Sequence, residues 1–150
     1  MGILLDTGFI CGIKIEEDDN HNVSDLIMEK IKWKKFGRVI VPSTVVNETL
    51  TLVNMRTRCN PIALNQIESI FWGKERFFEI YPVSYEDYYS IFLLMKKYSN
   101  KEKQKFLSFV DASLIYIAQK LNFSTIISFD SHFDGILTRI FDEITLNSVN

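Results

Sequence analysis

The chain has 150 residues, 17 of them basic and 19 acidic, for a formal charge of −2; the whole molecule is therefore no electrostatic magnet for nucleic acid, although a local basic patch stays open. Apolar residues make up 47% and charged ones 24%, which excludes a disordered chain and lets one domain, residues 1–150, bury a sizeable core. Cys11 and Cys59 belong to no metal-ligating pair and read as reduced, packed thiols.

Ile3-Leu4-Leu5 is a short apolar run without polar alternation, as in a strand buried on both faces. It runs into Asp6-Thr7-Gly8, which reads as a loop. No basic segment or cleavage site marks a signal peptide, and no apolar stretch nears the roughly 18 residues that span a bilayer, so the expectation is a cytoplasmic protein without membrane association. Glu16 to Asn22 reads as an acidic surface excursion. Ser24 is the expected N-cap of a helix carrying Leu26, Ile27 and Ile31 and closed by Gly37, and Arg38 to Val41 is the second strand.

Pro42-Ser43 opens a helix through about Arg58, with Val45, Val46, Leu50 and Val53 along one side. Another runs from about Ile62 to Trp72, and Phe77 to Ile80 reads as the third strand. Ser84 caps a helix bearing Tyr88, Ile91 and Phe92. A long helix is expected from the charged run Lys101–Lys105 to about Leu121, and Thr125 to Phe129 is a strand followed by Asp130-Ser131-His132-Phe133. Arg139 to Thr145 is expected to add a short edge strand. Strands alternating with helices imply an α/β fold with a mainly parallel sheet covered on both faces. In such a sheet all strand C-termini share one edge, where ligands bind.

Asp6 and Asp130 stand at that edge, each directly after a predicted strand. A lone Asp there is as often a turn-former or helix cap. Glu48 and Asp111 lie within apolar helical stripes, where a carboxylate is costly unless something offsets its charge. A buried salt bridge would do so, and for Asp111 a capping box with Ser108 is an alternative. Four converging carboxylates would repel one another, and a hard divalent cation relieves that repulsion. Oxygen-only ligation points to Mg²⁺ or Mn²⁺, whose bound water can attack a phosphodiester.

Leu4-Leu5-Asp6-Thr7, Asn47-Glu48, Ser108-Phe109-Val110-Asp111-Ala112 and Ser128-Phe129-Asp130-Ser131-His132-Phe133 follow one another in an order that resembles the PIN domain family, most closely the VapC-type toxin ribonucleases. The resemblance implies a three-layer α/β/α fold, Mg²⁺ or Mn²⁺ as cofactor, and single-stranded RNA as substrate. It gives metal binding and catalysis to Asp6, Glu48, Asp111 and Asp130, an orienting role to Thr7, Ser108 and Ser128, and names Asp134 as an additional acid. It also implies an antitoxin partner and a homodimer. Outside the toxin reading stand a PIN nuclease of RNA maturation or decay and a non-catalytic PIN scaffold. An aspartyl phosphotransfer enzyme is disfavoured, because Asp-x-Asp-x-Thr is absent after the first strand.

Lys30, Lys32, Lys34, Lys35 and Arg38 read as a solvated face more than as an RNA track. Tyr85, Tyr88, Tyr89 and Phe92 read as core or subunit packing more than as a base-stacking surface, and His132 as a loop or cap residue.

Overall fold

In a computed structural model, which describes residues 1–149, five short strands form one parallel sheet flanked by helices. The expected domain end, Asn150, lies outside the described residues. Strand β1 (Gly2–Leu5) is followed by α1 (Thr7–Lys14), α2 (His21–Lys30) and the single turn α3 (Trp33–Phe36). Next come β2 (Arg38–Pro42), α4 (Ser43–Arg56), α5 (Pro61–Trp72) and β3 (Glu79–Tyr81). A 3₁₀ turn leads into α6 (Tyr88–Tyr98), and α7 (Phe109–Leu121), β4 (Thr125–Ile127), β5 (Thr138–Ile140) and α8 (Glu143–Val149) complete the chain.

The strand order is β3-β2-β1-β4-β5, with Ile3 opposite Val39 on one side and Thr125 on the other. The chain builds outward from β1 through β2 and β3, then returns to β1's other side with β4 and β5. The carboxyl ends of β1 and β4 thus flank the topological switch point, where open parallel sheets leave a crevice. β1 is buried along its whole length because both faces are covered, which explains its unbroken apolar run. Phe9, Phe71 and Phe133 are the largest fully buried side chains of one continuous core.

Several local expectations fail for physical reasons. Asp6-Thr7-Gly8 is not a loop: Asp6 caps α1 and Thr7 begins it. Two glycines weaken that helix by about 1 kcal/mol each, so its signal is faint. Gly12 is required nonetheless, since a Cβ there would lie 2.2 Å from Ser24 Oγ. The same close approach places Ser24 inside α2, fully buried, instead of at its N-cap. Gly37, at φ +71°, closes the separate turn α3.

Lys101–Lys105 forms no helix. Asn100 and Lys105 instead pair backbone to backbone across a tight turn, and α7 starts only after Ser108. The charged run offers no apolar stripe to hold a helix against the core. The third strand sits slightly later than expected, because Phe77 and Phe78 pack against Trp33 and Phe71. The tail makes β5 and then α8, whose first turn is fixed by Thr145 N donating to Asp142 Oδ1. Cys11 is buried as expected, but Cys59 is exposed; both are free thiols. No described helix is long and apolar enough to cross a membrane.

Candidate active site

Four elements deliver one carboxylate each to the crevice. Asp6 follows β1, and its backbone N–H donates to Ile127 O of β4 at 3.1 Å, so the sheet itself fixes its position. Its Oδ1 accepts from Thr7 N at 2.7 Å as the α1 cap, and its Oδ2 accepts from Ser128 Oγ at 2.5 Å. Burial pushes the Asp6 carboxyl up to about 7; the charges of Asp111 and Glu48 add to the rise, while the bonds from Ser128 and Thr7 oppose it.

Glu48 projects from α4, half-buried, and its Oε2 accepts from Thr7 Oγ1 at 2.5 Å. The α4–α7 contact that sets Glu48 against Asp111 carries a buried hydroxyl pair, Thr44 and Ser113, 2.5 Å apart.

Asp111 sits at the third position of α7 and closes a capping box: Asp111 N donates to Ser108 Oγ at 3.0 Å, and Ser108 N donates to Asp111 Oδ2 at 2.8 Å. The cap and the cleft are thus served by one side chain. The cap engages Oδ2 alone. Burial raises this carboxyl above its ordinary range, Asp130 reinforces the shift and His132 counters it.

Asp130 ends the β4 segment. Its Oδ1 accepts from His132 N at 2.8 Å, and its own N–H donates to Ser128 Oγ at 3.0 Å. Ser128 therefore bridges the first and last acids, donating to one and accepting from the backbone of the other. Asp6, Glu48, Asp111 and Asp130 all line one cleft of about 520 Å³ with Thr7 and Ser108. Among the described residues no Lys or Arg pairs with any of the four.

Asp134 is placed differently. Arg139 donates to both of its oxygens, at 2.7 and 3.0 Å, and holds it below the ordinary carboxylate range outside the cleft lining.

The structure also brings to the cleft three residues outside the predicted acid set. His132, read as a loop residue, has Nδ1 3.2 Å from Asp130 Oδ2 and 3.9 Å from Asp111 Oδ2. Its place two residues after Asp130 was the signal, since a turn over that spacing folds the imidazole back beside the carboxylate. Arg56, the one Lys or Arg lining the cleft among the described residues, also lies 3.5 Å from Asp18, which gives the acidic excursion a structural neighbour. Phe106 stands at the cleft, 60% exposed; no pattern in the sequence marks it.

The lysine-rich segment is solvent-facing, as expected: Lys30 pairs with Glu143, and Arg38 pairs with Glu79 at the amino-terminal end of β2, opposite the cleft edge. Tyr85, Tyr88, Tyr89 and Phe92 are exposed, so packing in this chain's own core is ruled out for them.

A family model for the PIN domain matches residues 3–136. The chain belongs to the PIN domain family. Among solved structures, this PIN domain is similar to Mycobacterium tuberculosis VapC20, a toxin described as cleaving the sarcin–ricin loop. The TM-score is 0.70 at 20% identity, over 88% of this chain and 92% of that one. No curated protein matches significantly. PIN nucleases are generally dependent on divalent metal. The residues present fit such an ion: hard oxygen donors, two of them held above their ordinary carboxylate range by burial, with no Lys or Arg paired to them among the described residues.

Proposed function

We propose that this chain, as one PIN-like nuclease domain spanning residues 1–150, is a Mg²⁺- or Mn²⁺-dependent endoribonuclease acting on single-stranded RNA, and the toxin of a toxin–antitoxin pair. The observation that carries this reading is the convergence of Asp6, Glu48, Asp111 and Asp130 on one cleft without a pairing Lys or Arg. The similarity to a toxin described as cleaving the sarcin–ricin loop supports the substrate class.

Asp6, Glu48, Asp111 and Asp130 would hold a divalent ion, which would supply an activated water and charge stabilisation for the departing oxygen. The chain's own groups do the rest. Thr7 and Ser128 hold Glu48 and Asp6 by their hydroxyls, so that neither carboxylate has to be ordered when the ion arrives. Ser108 fixes Asp111 from the helix cap. Arg56 neutralises a backbone phosphate, which a cleft of four acids otherwise repels. Phe106 offers an exposed ring on which a base stacks.

The same reading places the protein in the cytoplasm, with an antitoxin that occludes the cleft. It also makes the protein a homodimer, in which a second copy covers the exposed aromatic residues of α6. Incubating a labelled single-stranded RNA with the protein and Mn²⁺ or Mg²⁺ tests the activity. Cleavage that stops on chelation and in Asp6→Asn is expected; full activity in that variant would rule out the site.

A further inference from the structure

Resting on the metal-dependent reading above, we infer that His132 is a nitrogen ligand of the ion held by Asp111 and Asp130, and that it biases the site toward Mn²⁺ over Mg²⁺. The Nδ1 atom is fully buried and has no hydrogen-bond partner in the described structure. This holds although two carboxylate oxygens lie near it, Asp130 Oδ2 at 3.2 Å and Asp111 Oδ2 at 3.9 Å. A neutral imidazole nitrogen in ion-pair range of two acids, yet hydrogen-bonded to neither, has the arrangement of a donor aimed at a point they share. Ligand atoms of Asp111, Asp130 and His132 lie within 4.8 Å of one another. Octahedral ligands about 2.1 Å from an ion are separated by about 3 Å when adjacent and about 4.2 Å when opposite. The two nitrogen–oxygen distances fall within that span.

The spacing is built into the backbone. Asp130 caps the 3₁₀ turn Ser131–Phe133 with Oδ1, which accepts from His132 N, and this leaves Oδ2 facing the imidazole. Phe133, fully buried, anchors the turn from below. First-row transition ions accept imidazole, Mn²⁺ the most weakly among them, whereas Mg²⁺ prefers oxygen and keeps its waters. One nitrogen among carboxylates therefore separates two ions that an all-oxygen site would treat more alike.

The chain has two histidines. The other, His21, has its Nδ1 2.6 Å from Gly12 O and lies outside the cleft lining, so a nitrogen signal is assignable. Pulsed electron paramagnetic resonance of the RNA-free protein loaded with Mn²⁺ reads the first coordination shell directly. Calorimetric titration with Mn²⁺ and with Mg²⁺ reads the preference. A ¹⁴N coupling is expected in the wild-type protein, converted to ¹⁵N by labelled histidine and lost in His132→Asn. The same variant is expected to lose at least about 10-fold in Mn²⁺ affinity and much less in Mg²⁺ affinity. Bound Mn²⁺ without nitrogen coupling in the wild type overturns the inference while leaving the carboxylate site standing, and needs no variant to fold. Equal losses for both ions overturn the selectivity. No Mn²⁺ binding at all overturns the carboxylate site, and His132 with it.

Discussion

Replacing Asp6 with Asn is expected to stabilise the metal-free protein while abolishing its activity. The Asp6 carboxyl moves from 3.8 to about 7 on folding, chiefly through burial. An acid whose folded value is raised keeps its proton in the folded state after the unfolded chain has released it. The native state therefore incurs a penalty that is absent below pH 3.8, grows between 3.8 and about 7, and is complete above that. At 1.36 kcal/mol per unit the full penalty is about 4 kcal/mol, an upper bound. Asn removes the titration. Its Oδ1 still accepts from Thr7 N, and its amide can donate to Ser128 Oγ, so little hydrogen bonding is lost.

If half the penalty is recovered, the gain is about 2 kcal/mol, or roughly 4–8 °C in Tm for a chain of this size. Thermal melts in chelator at pH 5 and pH 8 provide the assay, and the gain should be several-fold larger at pH 8. Saturating Mn²⁺ should reverse the order. A ligand at 100 times its Kd adds about 2.7 kcal/mol to the wild type, and the variant should gain little. An Asp6→Asn protein less stable than wild type at pH 8 in chelator, or equally shifted at both pH values, would refute the claim that Asp6 is a charge buried for the sake of an ion.

Arg56→Ala should raise KM for RNA and reduce the slope of log affinity against log salt by about 1, with kcat little changed, if Arg56 meets one phosphate. Phe106→Ala should weaken RNA binding by about 1–3 kcal/mol, measured on an inactive background, if its ring stacks one base. Ser128→Ala removes a bond that stabilises ionised Asp6, so the Asp6 titration followed by NMR in the metal-free protein should move to higher pH. Away from the cleft, buried Asp87 accepts from Tyr116 Oη at 2.6 Å, from Lys120 Nζ at 3.0 Å and from Ser84 N at 3.0 Å. The Tyr116 bond above all holds it well below the ordinary carboxylate range. Its contribution to stability is complete above pH 3.8 and fades as pH falls further. Asp87→Asn should therefore cost about 2 kcal/mol at neutral pH, with the deficit shrinking in strong acid and RNA cleavage preserved.

The parts of the fold legible in the sequence were those where one residue pattern served one structural purpose. β1 and β2 are apolar because both their faces are covered, and α4 and the body of α7 carry regular stripes. Helix α1 was illegible because two glycines lower its helix propensity, and Gly12 serves packing against α2: a contact at 2.2 Å from Ser24 cannot be read from either segment alone. The 101–105 turn was mistaken for a helix because charge content resembles a helix start even where no apolar face follows. In the site, Asp6 and Asp130 stood out because each follows a strand at the ligand-binding edge, and Glu48 and Asp111 because each is an acid within an apolar helical stripe. Arg56 and Phe106 did not, since an Arg at a helix end and a Phe in a loop are ordinary until the sheet brings α1, α4 and the 106–108 segment around one cleft. For Asp111 the competing reading as a cap was also correct. The capping box and the cleft use the same carboxylate, so neither pattern excluded the other.

The central claim is that one divalent ion sits among these carboxylates. Anomalous diffraction from crystals grown or soaked with Mn²⁺ tests it most directly. The account predicts a peak in the cleft within about 2.2 Å of oxygens from Asp111 and Asp130, absent in Asp130→Asn crystals. Saturating Mn²⁺ that leaves the cleft without a peak, or a peak lying elsewhere on the molecule, would contradict it.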